Sequence, residues 1–466
     1  MKQYKKALCW IRRDLRLSDH AALSAACTRT EAMAIVFVFD TKILSALQDK
    51  NDRRITFIKH SLEELDATLR ERGSCLIVRF GDPAKEIPAL AKELGATIVF
   101  TNRDYEAAAI QRDQSVQKEL QKFSCSFESF KDQVVFEKKE LLTGGGTPFK
   151  VFTPYKNAWL KQLKIEHYLE YKTPLKNLLP RSEIEKFSSS WNWKNLGFLE
   201  NSLWLKAGEK AAVKRLQKFQ KKSLREYKIG RDFPAITDGT SGLSTHLRFG
   251  TISIREALRM VLEHKGIGTE TWISELIWRD FYQMILHEFP HVNTQAFKAE
   301  YNGIQWPGQE KHFQAWCEGN TGFPIVDAAM RHFNATGWIH NRLRMIVASF
   351  LVKDLLIDWK WGEKYFARHL LDFDFAANNG GWQWCASTGC DAQPYFRIFN
   401  PTSQSEKFDP KGDYIREYCP ELKSLSTKEI HSPLVGRLFG VKYPQPIVEH
   451  AQQRTKALAL FQKAKG

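Results

Sequence analysis

Over the first 130 residues, short apolar runs alternate with amphipathic stretches. Ala7–Ile11, Ala34–Phe39, Leu76–Val78 and Thr97–Phe100 read as buried strands. Between them, Ala21–Cys27, Arg53–Arg72, Pro83–Leu94 and Glu106–Phe123 carry apolar residues at helical spacing. Asp82 followed by Pro83 has the form of a helix opening, with the acid as N-cap and proline in the first turn. Strand–helix alternation predicts a parallel sheet covered by helices, a Rossmann-like α/β domain over residues 1–130. No GxGxxG follows the first strand, and Gly144-Gly145-Gly146 reads as a flexible turn, so a dinucleotide fingerprint is absent. From 131 to 200 the periodicity weakens. Pro148, Pro154, Pro174, Pro180 and the run Ser188-Ser189-Ser190 predict a long inter-domain linker. From 201 to 466 helical periodicity dominates, with Thr271–His287 and Trp338–Trp359 as long amphipathic segments, and predicts an all-α domain. No repeat of solenoid length is present.

Composition narrows the function classes. Of 466 residues 43% are hydrophobic, which is ample for buried cores and argues against disorder. No apolar run is long enough for a membrane-spanning helix, and the start Met1-Lys2-Gln3-Tyr4-Lys5 lacks a signal-peptide pattern. A soluble, cytoplasmic protein that binds no membrane is the expectation. Lys plus Arg number 69 against 53 Asp plus Glu, a net charge of 69 − 53 = +16 that favours a polyanion such as nucleic acid as partner. The eight cysteines are scattered and form no CxxC pair, so reduced structural thiols and no metal are expected.

Four segments of the second half are more polar than a plain core requires. On a helix, Trp272, Glu275 and Arg279 share a face that Trp278 adjoins. Asn341, Arg344 and Met345 project together from an otherwise apolar segment, where a buried arginine needs a partner. Asp372, Asp374, Asn378, Asn379, Gly380 and Gly381 suggest close approach to a polar ligand. Thr240-Ser241-Gly242-Leu243-Ser244 clusters hydroxyls that can donate to phosphate oxygens. Taken singly, each admits a plain structural reading: a solvated ion-pair face, surface turn chemistry or a helix cap.

Together they carry a resemblance. The chain resembles the photolyase–cryptochrome family, and within it the microbial class I cyclobutane pyrimidine dimer photolyases. The similarity runs from Trp10-Ile11-Arg12-Arg13-Asp14-Leu15-Arg16 to Tyr443-Pro444-Gln445-Pro446-Ile447-Val448-Glu449-His450. Its most specific stretch is 378–408, with Gly381-Trp382-Gln383-Trp384 and Pro394-Tyr395-Phe396-Arg397-Ile398-Phe399-Asn400-Pro401. The resemblance implies FAD in the helical domain and light-driven splitting of pyrimidine dimers in DNA by electron transfer from excited reduced FAD. It implies Tyr227 and Thr240, Ser241, Gly242, Leu243 and Ser244 at the phosphates, with Gly242 standing where some relatives place arginine. Trp272, Glu275 and Arg279 are implied to line the flavin and lesion side, and Asn341, Arg344, Asp372, Asp374 and Asn378 to surround the isoalloxazine and adenine. Glu275 and Asn378 are the implied catalytic residues, and Trp382, Trp359 and Trp306 the implied electron relay. Lesion and DNA contacts are implied for Arg231, Glu275, Trp278, Arg279, Tyr282, Asn341, Arg342, Met345, Trp384 and Gln404, with Lys407 as a further basic contact. Extrahelical binding of the dimer belongs to the resemblance, since photolyases are themselves among the known base-flipping enzymes. Phosphate contacts should make DNA affinity salt-sensitive and sequence-independent.

Rival readings are a cryptochrome-type blue-light receptor and a (6-4) photoproduct photolyase. Asn378 and the early end after His450 speak against the first, and Asn341 with Met345 in place of histidines against the second. The four-cysteine set of the iron–sulfur branch is not apparent. For a second, antenna chromophore, Ala108 and Ala109 stand where folate-binding relatives carry an Asn-Glu pair. Asp104 and Arg248 instead resemble positions that contact a deazaflavin, so a deazaflavin or FMN is favoured over folate, with no antenna as the alternative. A monomer is the expected state.

Overall fold

The strands form from continuous apolar runs, the pattern of a parallel sheet covered on both faces. The computed structural model describes residues 3–432, 434 and 438–464. It divides into two compact units, the first made of Met1–Glu140, Trp159–Gln220 and Gly242–Lys265, the second of Leu141–Ala158, Lys221–Ser241 and Gly266–Gly466.

In the first unit, β1 (Tyr4–Ile11), β2 (Thr30–Asp40), β3 (Leu76–Gly81), β4 (Ile98–Asn102) and β5 (Ser126–Phe130) form one sheet in the order β3-β2-β1-β4-β5. Every pair is parallel, with Cys9 opposite Ile35 on β2 and Phe100 on β4. Helices Ala21–Arg29, Arg53–Arg70, Pro83–Leu94 and Ala107–Gln121 make the connections. Asp82 caps the third of them, its carboxylate accepting the Ala84 N–H at 3.0 Å, as the sequence implies. β5 is the strand that the apolar pattern does not announce. It lies at the sheet edge with half-exposed side chains, so Ser126 and Ser129 are tolerated and no continuous apolar run is needed. Strand order reverses between β1 and β4, and the crevice beyond their C-terminal ends is the point where open α/β sheets take ligands.

Residues far along the chain complete this unit. Met33 of β2 exchanges backbone hydrogen bonds with Asn177 and Leu179, both at 2.8 Å, and Leu179 and Ile184 are buried in the sheet's core. Beneath lies a buried ion network. Arg16 donates to both oxygens of Asp132 (2.9 and 2.7 Å), and Arg255 donates to Asp132 (2.7 Å) and to Asp19 (2.9 Å). Burial alone would raise the Asp132 carboxyl, but Arg16 and Arg255 outweigh it and hold the pKa well below the usual carboxylate range.

The second unit is helical, around a core that includes Trp316, Phe333, Val347, Phe350 and Phe366. The segment predicted as one amphipathic run over 338–359 is broken. Helix Asn341–Ser349 passes into a wide π-turn over Phe350–Asp354, and Leu356 at φ +55° ends it before helix Trp359–His369. The buried face continues through all three pieces, which is why the apolar stripe reads as uninterrupted. All eight cysteines are free thiols, seven of them buried. Among the described residues no helix is long and apolar enough to cross a membrane.

Candidate functional site

Helix Phe375–Ala386 is the hub of the second unit, packing against Ile267–Glu288, Asn341–Ser349 and Trp359–His369. Asp374 starts it, accepting the Ala377 N–H at 3.2 Å and the Gln283 Nε2–H at 3.1 Å. Glycines set the approach of its neighbours. A Cβ on Gly380 would lie 2.8 Å from Cγ of Tyr282 and closer to other ring atoms, so the Tyr282 ring rests directly on the backbone. Gly381 differs, because no atom lies within 4 Å of its Cβ position. It leaves open space on the face that also carries Asn378, one turn earlier. Asn378 is buried and donates Nδ2–H to the Glu363 carbonyl at 3.1 Å. Buried Asp372 accepts from Arg344 Nη2 at 3.0 and 2.7 Å.

The adjacent residues Arg231 and Asp232 tie two helices of this unit. Arg231 pairs with Glu275 on Ile267–Glu288, and Asp232 with Arg342 on Asn341–Ser349 at 2.6 Å. Loss of solvent pushes the Glu275 pKa up, and Arg231 only partly offsets it. Tyr227 is buried 5.8 Å below the Arg231 guanidinium, and its phenol pKa is pushed up by that burial. Trp272 is buried, while Arg279, Met345, Trp384 and Gln404 are half-buried and Asn341 is exposed at its helix start. Trp278 stacks face to face on Phe152, centroids 3.6 Å apart and planes 5° apart, with Tyr282 at 5.4 Å. The Arg342 guanidinium also lies 4.3 Å over Phe408.

Trp382 is buried against Phe366 (5.1 Å) and Trp316 (6.1 Å), Trp359 is buried at its helix start, and half-buried Trp306 meets Phe461 at 5.9 Å. These three tryptophans are separate packing sites rather than one stack. Thr240 and Ser241 end a stretch of the second unit, whereas Gly242, Leu243 and Ser244 belong to the first.

The first unit has its own polar cluster at the switch point. Arg13, just past β1, pairs with Asp104 (3.1 Å) and Glu106 (2.9 Å), just past β4, and Arg248 approaches Glu106 at 4.0 Å. Arg12 and Arg112 flank the buried Trp10 at 4.5 and 5.1 Å. Burial works against the Asp104 carboxylate, yet Arg13, Arg12, Arg112 and Arg248 hold its pKa well below the ordinary range.

Sequence reasoning passes over Phe152 and Glu363. Phe152 sits in a segment of weak periodicity, and its role as a platform under Trp278 is purely spatial. Glu363 is buried with Oε1 unpartnered, and burial raises its pKa to about 7. An acid amid Trp359-Lys360-Trp361-Gly362 and Lys364-Tyr365-Phe366 reads as a solvated position, and only its burial in the folded chain shows otherwise. Because the folded pKa lies above the ordinary value of 4.5, stability falls as pH rises from 4.5 to 7 and stays reduced above. Glu363→Gln is expected to stabilise the protein above pH 7, by at most about 3 kcal/mol, and to change little below pH ~4.5. Thermal unfolding across that pH range checks the sign; equal gains at both ends would place the effect elsewhere.

Open space on the Asn378 face, the buried acids Glu363, Asp372 and Asp374, and unpartnered polar atoms at Glu363 Oε1 and His340 Nε2 suit a planar, polar ligand within a helical unit. That is the requirement of a flavin-binding protein. Residues 272–463 match the family described as the FAD binding domain of DNA photolyase, and residues 7–178 match the DNA photolyase family. The chain is similar to the deoxyribodipyrimidine photo-lyase of Escherichia coli, 42% identical over 98% of this chain and 98% of that protein. Among solved structures it is similar to a bacterial class III photolyase from Agrobacterium tumefaciens, with a TM-score of 0.90 and 34% identity over 100% of this chain and 98% of that one. It is also similar to an archaeal photolyase from Sulfolobus tokodaii with two FAD molecules, with a TM-score of 0.85 and 34% identity over 98% and 100% of the two chains. The chain belongs to the DNA photolyase family, with FAD as its cofactor.

Proposed function

We infer that the protein is a light-dependent lyase that splits cyclobutane pyrimidine dimers in DNA. The observation that carries the reading is the hub helix, which sets Asn378 and the open Gly381 face among helices bearing Glu275 and Arg344, with Asp372 in the turn that leads into it. Bound FAD supplies the photochemistry, donating and recovering one electron under light. Tyr227 and Thr240–Ser244 are the residues for its phosphates. Trp272, Arg279, Asn341, Arg344, Asp372, Asp374 and Asn378 are those for the rest of the cofactor. Trp382, Trp359 and Trp306 form the electron relay that keeps the cofactor reduced. Trp278, Tyr282, Met345 and Trp384 offer apolar surface to an extrahelical dimer, with Asn341, Arg342, Arg231, Arg279 and Gln404 as polar contacts to lesion and DNA. Phe152 supports this reading by fixing the Trp278 plane from one side.

Glu275 acts as a neutral donor. Loss of solvent moves its pKa in the direction of the protonated carboxyl that this role needs, against the pull of Arg231, which donates to Oε1 and leaves Oε2 for a dimer carbonyl where negative charge develops. Glu275→Ala is expected to keep FAD bound but lower repair per photon roughly tenfold, whereas Glu275→Gln retains a donor and most of the yield. Flavin absorbance and single-turnover repair read the two effects separately. Equal yields for Ala and the parent protein would remove Glu275 from the reaction.

The decisive test of function is illumination of the reduced holoprotein with dimer-containing DNA. Light-dependent loss of dimers supports the enzyme. A flavin photoresponse with no dimer loss would favour the receptor alternative, and loss of (6-4) photoproducts alone the other repair class. For the second chromophore, the arginine cluster at the β1/β4 crevice supports a deazaflavin or FMN held near Asp104 and Arg248, since its cations suit a phosphate-bearing ligand. Titration of deazaflavin, FMN and folate into FAD-loaded protein, with energy transfer to FAD as readout, separates these. Stoichiometric folate binding with transfer would overturn the assignment.

A further inference from the structure

Phe152 opens helix Phe152–Gln162, yet the carboxylate that takes its backbone N–H comes from a distant part of the chain. Asp391, in the turn after the hub helix, accepts that N–H at 3.0 Å. This contact sets the start of the helix, and with it the buried Phe152 ring that lies on Trp278. Aromatic rings prefer offset or edge-on pairs to a full sandwich, so a stack at 3.6 Å and 5° has to be held from outside. Fully buried Phe281 helps to hold it, meeting Phe152 edge-on at 5.8 Å and Trp278 edge-on at 5.7 Å. Tyr282 bounds Trp278 at 5.4 Å and itself rests on the Gly380 backbone. Trp278 nonetheless stays half-buried, so its exposed surface lies away from Phe152. All these residues belong to the second unit.

We propose that Phe152, held by Asp391, is a positioning residue for lesion recognition that fixes the plane of Trp278 and closes one of its faces. The proposal rests on the reading of Trp278 as apolar surface for an extrahelical dimer. A lone tryptophan on a helix has two faces and a ring that hops between rotamers, and freezing it on binding costs affinity. With Phe152 in place the plane is set before DNA arrives. An undamaged base is flat and gains from any open aromatic face. A dimer, whose two bases are covalently joined, presents one rigid surface that a fixed wall suits. The stack therefore acts on the preference for damaged over undamaged DNA, whereas phosphate contacts supply the affinity common to both.

The test measures binding of the full-length holoprotein, in the dark, to dimer-containing and undamaged single-stranded DNA of one sequence. The preference is the Kd for undamaged DNA divided by that for the dimer. Phe152→Leu fills the space without a flat ring and is expected to lower the preference roughly 3- to 10-fold, while Phe152→Tyr keeps it within about twofold. Asp391→Ala should lower it in the parent protein but add less than about twofold in the Phe152→Leu background, because Asp391 acts through the ring. Flavin absorbance checks that each variant still holds FAD. A preference for Phe152→Leu within about twofold of the parent overturns the proposal, and so does an equal loss in Phe152→Tyr. If Trp278→Ala then still lowers the preference, only the Phe152 assignment falls. If Trp278→Ala leaves it unchanged too, the reading of Trp278 as lesion surface falls with it.

Discussion

Asp132→Asn should cost the first unit about 3–5 kcal/mol, the usual range when one partner of a buried ion pair is removed. Asp132 is 2% exposed and takes hydrogen bonds from Arg16 and Arg255, themselves almost fully buried. Asparagine keeps the shape but not the charge, so Arg16 loses its carboxylate partner and Arg255 keeps only Asp19, which Arg259 also engages at 2.7 Å. The pH dependence has a definite sign. Because the folded pKa of Asp132 lies below its unfolded value, the stabilisation is fully present above about pH 4 and is lost as pH falls toward the folded value. The variant should therefore differ from the parent most at neutral pH and converge with it in acid. Denaturant unfolding at two pH values reads this. A loss under about 1 kcal/mol at pH 7 would mean that Asp19 and solvent carry the charges without Asp132.

That network also marks where sequence reasoning stops. β1, β2, β3 and β4 are legible because each is a continuous apolar run, and the capped helix at Pro83 is legible because its signal is local. Helix Ile254–Leu262 is legible as a helix, but its membership of the first unit is not. Arg255, pairing with Asp19 and Asp132, and Arg259, pairing with Asp19, each more than a hundred residues away, show it. The site divides in the same way. Asn378, Asp372, Glu275 and Arg344 stand out because acids, amides and arginines interrupt apolar helices. Phe152 does not, since an aromatic at a helix start within a stretch of weak periodicity is ordinary until its neighbours are known. Glu363 is concealed by the lysines on either side. The glycines were visible as a pair, yet their opposite tasks were not: Gly380 touches a ring and Gly381 faces open space.

Two glycine substitutions, one at packed Gly362 and one at open Gly381, set such positions against each other. Alanine is the better helix former by about 1 kcal/mol, so propensity alone favours both Gly362→Ala and Gly381→Ala. At Gly362 packing opposes it. The new methyl would lie 2.6 Å from Cδ2 of Leu351 and closer to the Trp382 ring, which Trp316 and Phe366 prevent from retreating. Overpacking of this kind costs about 1–3 kcal/mol, so Gly362→Ala should lower the melting temperature with or without FAD. At Gly381 nothing lies within 4 Å, and the flavin-free protein should gain up to about 1 kcal/mol. If the open space on the Asn378 face receives the flavin, the same methyl intrudes on it, and FAD affinity should fall at least about tenfold while the apoprotein becomes more stable. Calorimetry of the apoprotein and flavin titration of both variants give the comparison. Unchanged FAD affinity in Gly381→Ala would move the flavin away from this face of the helix.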